Sequence, residues 1–200
     1  MTRDITDIKG SFAVRRRLLE WLEVQARHDL RSTAEGLANC FKKGGAVFAC
    51  GNGGSASQAE HFVAELTGRF KLSRKSLPAY ALSTNSSIVT AVSNDFGYAE
   101  VFSRQLEGLA GPGDCLVAIS TSGNSQNVIN ACQVARRMSM KIFTLTGENK
   151  GPLSDQSDVA LRVPDSDTAR IQEIHLIALH LLCQMVEESL FSPATTRSER

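Results

Sequence analysis

The sequence predicts a three-layer α/β sandwich, a five-stranded parallel sheet covered on both faces by helices. Five short apolar runs, at 46–50, 78–82, 115–119, 141–145 and 158–162, have the length of strands. Segments with helical spacing, at 55–66, 86–93, 98–109 and 125–137, separate most of them. Such alternation joins strands in parallel and places helices on both faces. Two of the runs also end in Gly- and Ser-rich corners that open the next helix, at 51–55 and 120–125. Ligands bind at such strand ends in open α/β sheets.

Before the first strand, residues 11–28 place Leu18, Trp21, Leu22 and Gln25 at helical spacing. Residues 30–43 carry Leu30, Ala34, Leu37, Ala38 and Phe41 on one stripe, and Gly44-Gly45 stops that helix. Residues 1–43 thus form an N-terminal helical segment that packs on the core, and 44–192 form the main domain. The last helix, about 168–190, starts after Pro164 and is apolar nearly all round. A helix of that kind is buried, and the expected cover is another subunit. Residues 193–200 are polar and read as a frayed tail.

Composition narrows the function. At 200 residues with a formal net charge of +1, the chain has no broad polyanion-binding face, so nucleic acid is not an expected partner. The basic runs Arg15-Arg16-Arg17 and Arg136-Arg137 read as solvated helix faces. Five cysteines without a CxxC pair suit reduced, buried thiols in a cytoplasmic protein. The longest apolar stretch, 174–186, is interrupted by His175, His180 and Gln184 and is shorter than the ~20 residues of a membrane span.

Both corners suit an anion. A strand, a tight turn and a helix N-terminus in series present unpaired backbone N–H groups, with the helix dipole assisting. The first corner is Cys50-Gly51-Asn52-Gly53-Gly54-Ser55. The second offers the hydroxyls of Ser120, Thr121, Ser122 and Ser125 around one turn, where an ordinary helix cap needs a single such residue. Two corners of this kind in one small chain point to a phosphorylated small molecule. His61 and Glu65 are four apart on the helix after the first corner and share a face. Imidazole and carboxylate at that spacing suit a zinc-type ion or an acid/base pair, and equally a surface ion pair. Taken alone, Asn94-Asp95-Phe96-Gly97 looks like a turn, and Glu173 and His175 like structural polar residues.

Together these residues resemble the sugar isomerase (SIS) domain family and, within it, the phosphoheptose isomerases. The carriers are residues 50–55, His61-Phe62, Glu65-Leu66-Thr67-Gly68-Arg69, Asn94-Asp95-Phe96-Gly97, residues 119–125, Leu145-Thr146-Gly147, and Arg170-Ile171-Gln172-Glu173-Ile174-His175 with His180. The resemblance implies a flavodoxin-like sheet and an isomerase that converts sedoheptulose 7-phosphate to D-glycero-D-manno-heptose 7-phosphate. That product feeds activated-heptose (ADP- or GDP-heptose) synthesis, as for lipopolysaccharide. By the same resemblance, Asn52, Gly53, Gly54, Ser55, Glu65, Gln172 and Arg69 contact substrate, and Asn94 and Asp95 its hydroxyls. Ser120, Thr121, Ser122 and Ser125 hold the phosphate. His61, Glu65, Gln172 and His180 bind one zinc ion per subunit, and Glu65 and His180 are the acid/base pair. Some members carry an acidic residue where this chain has Ala169, and Asp167 is the candidate substitute.

The resemblance also implies a homotetramer. Gln172 and His180 are eight residues apart, about 12 Å along an ideal helix and roughly 80° apart in direction. One copy of the helix is poorly placed to offer both to one ion, so a neighbouring subunit is expected to complete the site. A second reading is a non-enzymatic SIS tetramer that binds a replication initiator protein, whose ending resembles Leu190-Phe191-Ser192-Pro193 here. Such scaffolds have no need of Glu65 and His180 together. A third is an SIS isomerase for another sugar phosphate.

Overall fold

The computed structural model describes residues 7–149 and 151–192. The tail at 193–200 and the first six residues of the N-terminal segment lie outside the described residues. The chain runs α1 (Ile8–Val24), α2 (Arg27–Lys42), β1 (Val47–Cys50), α3 (Gly54–Thr67), β2 (Ala79–Ala81), α4 (Ser86–Phe96), α5 (Ser103–Leu109), β3 (Cys115–Ser120), α6 (Gln126–Arg137), β4 (Lys141–Thr146), β5 (Val159–Arg162) and α7 (Thr168–Phe191). The five strands are those expected, each within one residue at either end. All pairs are parallel, and the sheet order is β2-β1-β3-β4-β5. This is the flavodoxin-like winding, with its topological switch between β1 and β3.

Strand side chains alternate between two cores, as a sheet buried on both faces requires. Val47, Ala49, Val117, Ile119, Phe143 and Leu145 join α1, α2, α3 and α7 in one cluster. Phe48, Cys50, Leu116, Ala118 and Ile142 join α5 and α6 in the other. All five cysteines are free and buried.

Three local readings change. Asn94 and Asp95 belong to the last turn of α4 rather than to a loop, because the helix runs on until Gly97. Gly97 takes a left-handed φ of +92° and its N–H caps the Ser93 carbonyl. The segment 98–109 is not one helix but a 3-10 turn at Tyr98–Glu100 followed by α5. The helix α7 finds much of its cover within its own chain. Nine of its residues are buried, mostly against α2 and α3, while Ile177 and Leu181 remain exposed. Among the described residues α7 is also the one helix long and apolar enough, by length and composition, to cross a membrane. Seven of those nine residues are apolar and pack in the protein core.

His175 is fully buried on α7, and its Nε2 lies 3.2 Å from the Thr146 carbonyl oxygen. Desolvation pushes its pKa down to about 4, against a smaller opposing effect of that hydrogen bond. The folded value lies below the ordinary ~6.5, so the stabilisation is complete above pH ~6.5 and lost as pH falls toward 4. The expected loss is about 3 kcal/mol, because each tenfold weakening of proton binding is worth ~1.4 kcal/mol. Urea midpoints at pH 7.5 and pH 4, compared between wild type and His175→Asn, check this. The wild type should lose more stability on acidification than the variant.

Candidate active site

The first corner depends on its glycines. A Cβ on Gly51 would sit 2.7 Å from the Ser55 carbonyl oxygen, so any larger residue would open the turn. Gly53 takes φ +53° at the N-cap of α3, where no side chain caps the first N–H groups. The Ser55 and Ala56 N–H groups donate to the Asn52 and Gly53 carbonyl oxygens at 3.0 Å, which leaves the Gly54 N–H, among the described residues, for an anion. Gly54 gives room to Gln172, whose carboxamide nitrogen would lie 2.7 Å from a Cβ placed there. Ser55 is buried beneath the corner.

The second corner folds its hydroxyls together. Ser120 Oγ lies 3.1 Å from Ser125 Oγ and 3.4 Å from Ser122 Oγ. The Ser122 Oγ accepts the Asn124 N–H, while Ser125 is the N-cap of α6 and its side chain caps no N–H group. Ser120, Thr121, Ser122 and Ser125 then line one cavity of about 180 Å³ with Asn52, Ser55, Ile119, Thr168 and Gln172. Larger clefts exist, but this one sits at the switch between β1 and β3. Two helix N-termini converge there with neutral hydroxyls, which is the chemistry of a phosphate cradle.

Asn52 enters that cavity with its amide already oriented. The Val128 N–H donates to Asn127 Oδ1 at 2.9 Å, so the Asn127 NH₂ must face Asn52. It donates to Asn52 Oδ1 at 2.9 Å, and the Tyr98 hydroxyl donates to the same oxygen at 2.8 Å. One Asn52 N–H returns to Asn127 Oδ1. Among the described residues the other N–H has no acceptor. The sequence reading missed Asn127 and Tyr98, because these bonds join residues 75 and 46 positions apart.

A second cluster stands farther along α3, where it packs on α7. His61 and Glu65 on α3 and His180 on α7 bring one ligand atom each within 4.8 Å of one another. The two Nε2 atoms are 2.8 Å apart, and Glu65 Oε1 lies 3.5 Å from the His61 Nε2. The Phe70 ring stacks on His180 with centroids 5.5 Å apart, a neighbour the sequence reading also missed. Two imidazoles and a carboxylate are the donor set of a catalytic zinc site that keeps a position open. Within the chain Gln172 stands with the phosphate corner, as the 80° turn of the helix between it and His180 predicts.

The remaining expected residues line no such cavity. Arg69 is exposed on the segment after α3, and Asn94 donates to Asp95 on the exposed end of α4. Asp167 is the N-cap of α7 and accepts the Arg170 N–H at 3.0 Å, so its carboxylate is committed to the helix start. Arg170 also grips Asp165, holding that carboxyl down to about 2. Thr168, rather than Asp167, reaches the cavity lining.

Comparison with known proteins agrees with this architecture. The SIS domain model matches residues 12–147. A phosphoheptose isomerase of Aliarcobacter butzleri is 52% identical over 150 residues, covering 75% of this chain and 79% of the relative. One of Geobacter sulfurreducens is 46% identical over 187 residues, covering 94% and 99%. The solved phosphoheptose isomerase of Neisseria gonorrhoeae superposes with a TM-score of 0.85 at 40% identity, over 90% of this chain and 97% of its own. That of Francisella tularensis gives 0.89 at 32% identity, over 94% and 100%. With a matching family model, close relatives along nearly its whole length and the same fold, the chain belongs to the SIS domain family, among its phosphoheptose isomerases.

Proposed function

We propose that the chain is a cytoplasmic aldose–ketose isomerase that interconverts sedoheptulose 7-phosphate and D-glycero-D-manno-heptose 7-phosphate. The observation that carries this is the cluster of His61, Glu65 and His180 on α3 and α7, whose first turns also line the hydroxyl cavity. Ser55 and His61 are six residues apart, about 9 Å along α3. That span suits an extended sugar phosphate, with its phosphate in the Ser120–Ser125 corner and its carbonyl end at the cluster.

Isomerisation moves a proton between C1 and C2 through a cis-enediolate. It needs a base over the carbons and a group that moves the proton between the two oxygens. Glu65 takes the first role and His180 the second, each worth about 100- to 10,000-fold in rate. The free Asn52 N–H holds a substrate hydroxyl. The donor set fits a zinc ion held by His61, Glu65 and His180, with Gln172 as a further ligand when a second copy supplies it. When bound, that ion would supply positive charge beside the two reacting oxygens.

A homotetramer with shared sites follows from the same reading. Ile177 and Leu181 on α7, and Ile8, Phe12 and Leu19 on α1, leave apolar side chains uncovered in one chain. Arg69, Asn94 and Asp95 lie exposed outside the cavity, as residues of a site completed between copies would. A monomer in the ultracentrifuge that retained full metal affinity and turnover would overturn this assembly.

Incubation with sedoheptulose 7-phosphate in D₂O, with and without chelator, followed by NMR, tests the function. New aldoheptose 7-phosphate signals that chelation removes are the expected result. No conversion with added zinc would overturn it in favour of a binding protein or an isomerase for another sugar phosphate.

Ser120→Ala with Ser122→Ala should raise KM and leave kcat within about threefold. Each lost hydroxyl removes a bond to a charged group worth about 1.5–3 kcal/mol, so KM should rise at least tenfold. An unchanged KM would remove the phosphate from this corner.

A further inference from the structure

The segment between α3 and β2 crosses the side of α7 and is fastened there by a buried ion pair. The Glu187 and Arg74 side chains are each 2% exposed, and Arg74 Nε lies 2.9 Å from Glu187 Oε1. The Glu187 carboxylate also accepts the backbone N–H groups of Phe70, Lys71 and Leu72, each at 2.9 Å. Burial alone would raise this carboxyl, but the three N–H groups and Arg74 hold it below the usual range. A buried charge needs this degree of hydrogen bonding to be tolerated at all.

The far side of Arg74 grips the end of α3. Its guanidinium donates to the carbonyl oxygens of Glu65 at 2.8 Å, Leu66 at 2.6 Å and Gly68 at 3.2 Å. Glu65 and Leu66 offer last-turn carbonyls that lack partners within the helix, and Gly68 is its C-cap. The near side of the segment leans on His180. Glu187 is seven residues beyond His180, two turns along the same face of α7. Lys71 reaches Gln184 on that face at 2.7 Å, and the Phe70 ring stacks on the His180 imidazole at an angle of 30°.

We propose that the Arg74–Glu187 pair positions the acid/base cluster, fixing the turn of α3 that carries Glu65 and, through Phe70, the ring of His180. Phe70, Arg74 and Glu187 are positioning residues and touch no substrate. The assignment rests on Glu65 and His180 being the acid/base pair. It predicts a loss confined to the chemical step, because the phosphate corner lies at the other end of both helices.

Phe70→Leu tests the His180 arm without disturbing the buried charges. Arg74→Met with Glu187→Leu tests the fastening as a matched apolar pair, which avoids leaving one charge unpartnered. Expected for both is a kcat for sedoheptulose 7-phosphate lower by ~10- to 100-fold, the scale of a 1 Å misplacement. Affinity for inorganic phosphate should stay within twofold. Histidine ring NMR should show the His180 protons shifting in both variants, as the Phe70 ring leaves its stack. Unchanged kcat and unchanged His180 signals in Phe70→Leu would overturn the proposal. So would an equal loss of phosphate affinity in both variants, which marks a general structural role. Glu65→Gln run in parallel separates the two levels. If it keeps full turnover, the acid/base assignment falls; if it does not and Phe70→Leu is silent, the positioning alone falls.

Discussion

Glu65→Gln is expected to leave the protein folded, with phosphate bound as before, and to lower kcat by about 100- to 10,000-fold. The substitution keeps the size of the side chain and its place on α3. Its carboxylate is 24% exposed and pairs with the half-exposed His61, so folding loses little by its neutralisation. In the proposed mechanism, chemistry loses the group that takes a proton from carbon. Steady-state kinetics with sedoheptulose 7-phosphate, beside calorimetry with inorganic phosphate, separate the two effects. A zinc titration of the variant divides the possible duties of Glu65. Full recovery of rate at high zinc would make it a ligand only, and a low plateau would make it the base. A near-normal rate without added metal would remove Glu65 from the mechanism.

The sheet was legible because its strands are apolar runs bounded by Gly, Ser and Asp, and parallel strands buried on both faces need no alternation. Both corners were legible because the left-handed turns at Gly53 and Gly123 and the hydroxyl-rich start of α6 are local in sequence. The His61–Glu65 pair was visible as helical spacing, but spacing alone could not tell an ion pair from a site. His180, 119 residues away, entered through the family resemblance alone, and the packing of α3 on α7 is what brings it to that pair. Tyr98 and Asn127 gave no local signal for the same reason, and the Glu187–Arg74 pair spans 113 residues. The end of α4 was misjudged because Asn94 and Asp95 favour turns, yet Gly97 terminates the helix after them. Local chemistry thus announced the hydroxyl corner, while the assembly of His61, Glu65 and His180 depends on tertiary contacts.

Gly147→Ala is expected to raise KM by about 100-fold while the protein still folds. Gly147 follows β4, and its N–H donates to the Thr121 carbonyl at 3.0 Å, tying the strand end to the phosphate corner. A methyl group there would sit 2.6 Å from that carbonyl oxygen, 2.7 Å from Ile171 Cδ1 and 3.2 Å from the Asp165 carbonyl oxygen. Two of the three obstacles are backbone, so no rotamer change relieves the crowding. Relief comes only if the 120–125 corner moves away from β4, or if the start of α7 moves with Asp165. Either shift displaces a wall of the cavity that Thr121 and Gln172 share. Overpacking of this kind costs about 1–3 kcal/mol of stability, which a well-folded domain survives. Gly108→Ala provides the control, since nothing lies within 4 Å of the added methyl on α5 and helix propensity favours alanine. Its KM should be unchanged and its melting temperature equal or higher. If Gly147→Ala bound sedoheptulose 7-phosphate as tightly as wild type, the corner would have to be soft enough to yield without losing its hydroxyl geometry. That result would count against the proposed phosphate cradle at this corner, whose hydroxyls and helix N-termini have to be preorganised to act as one.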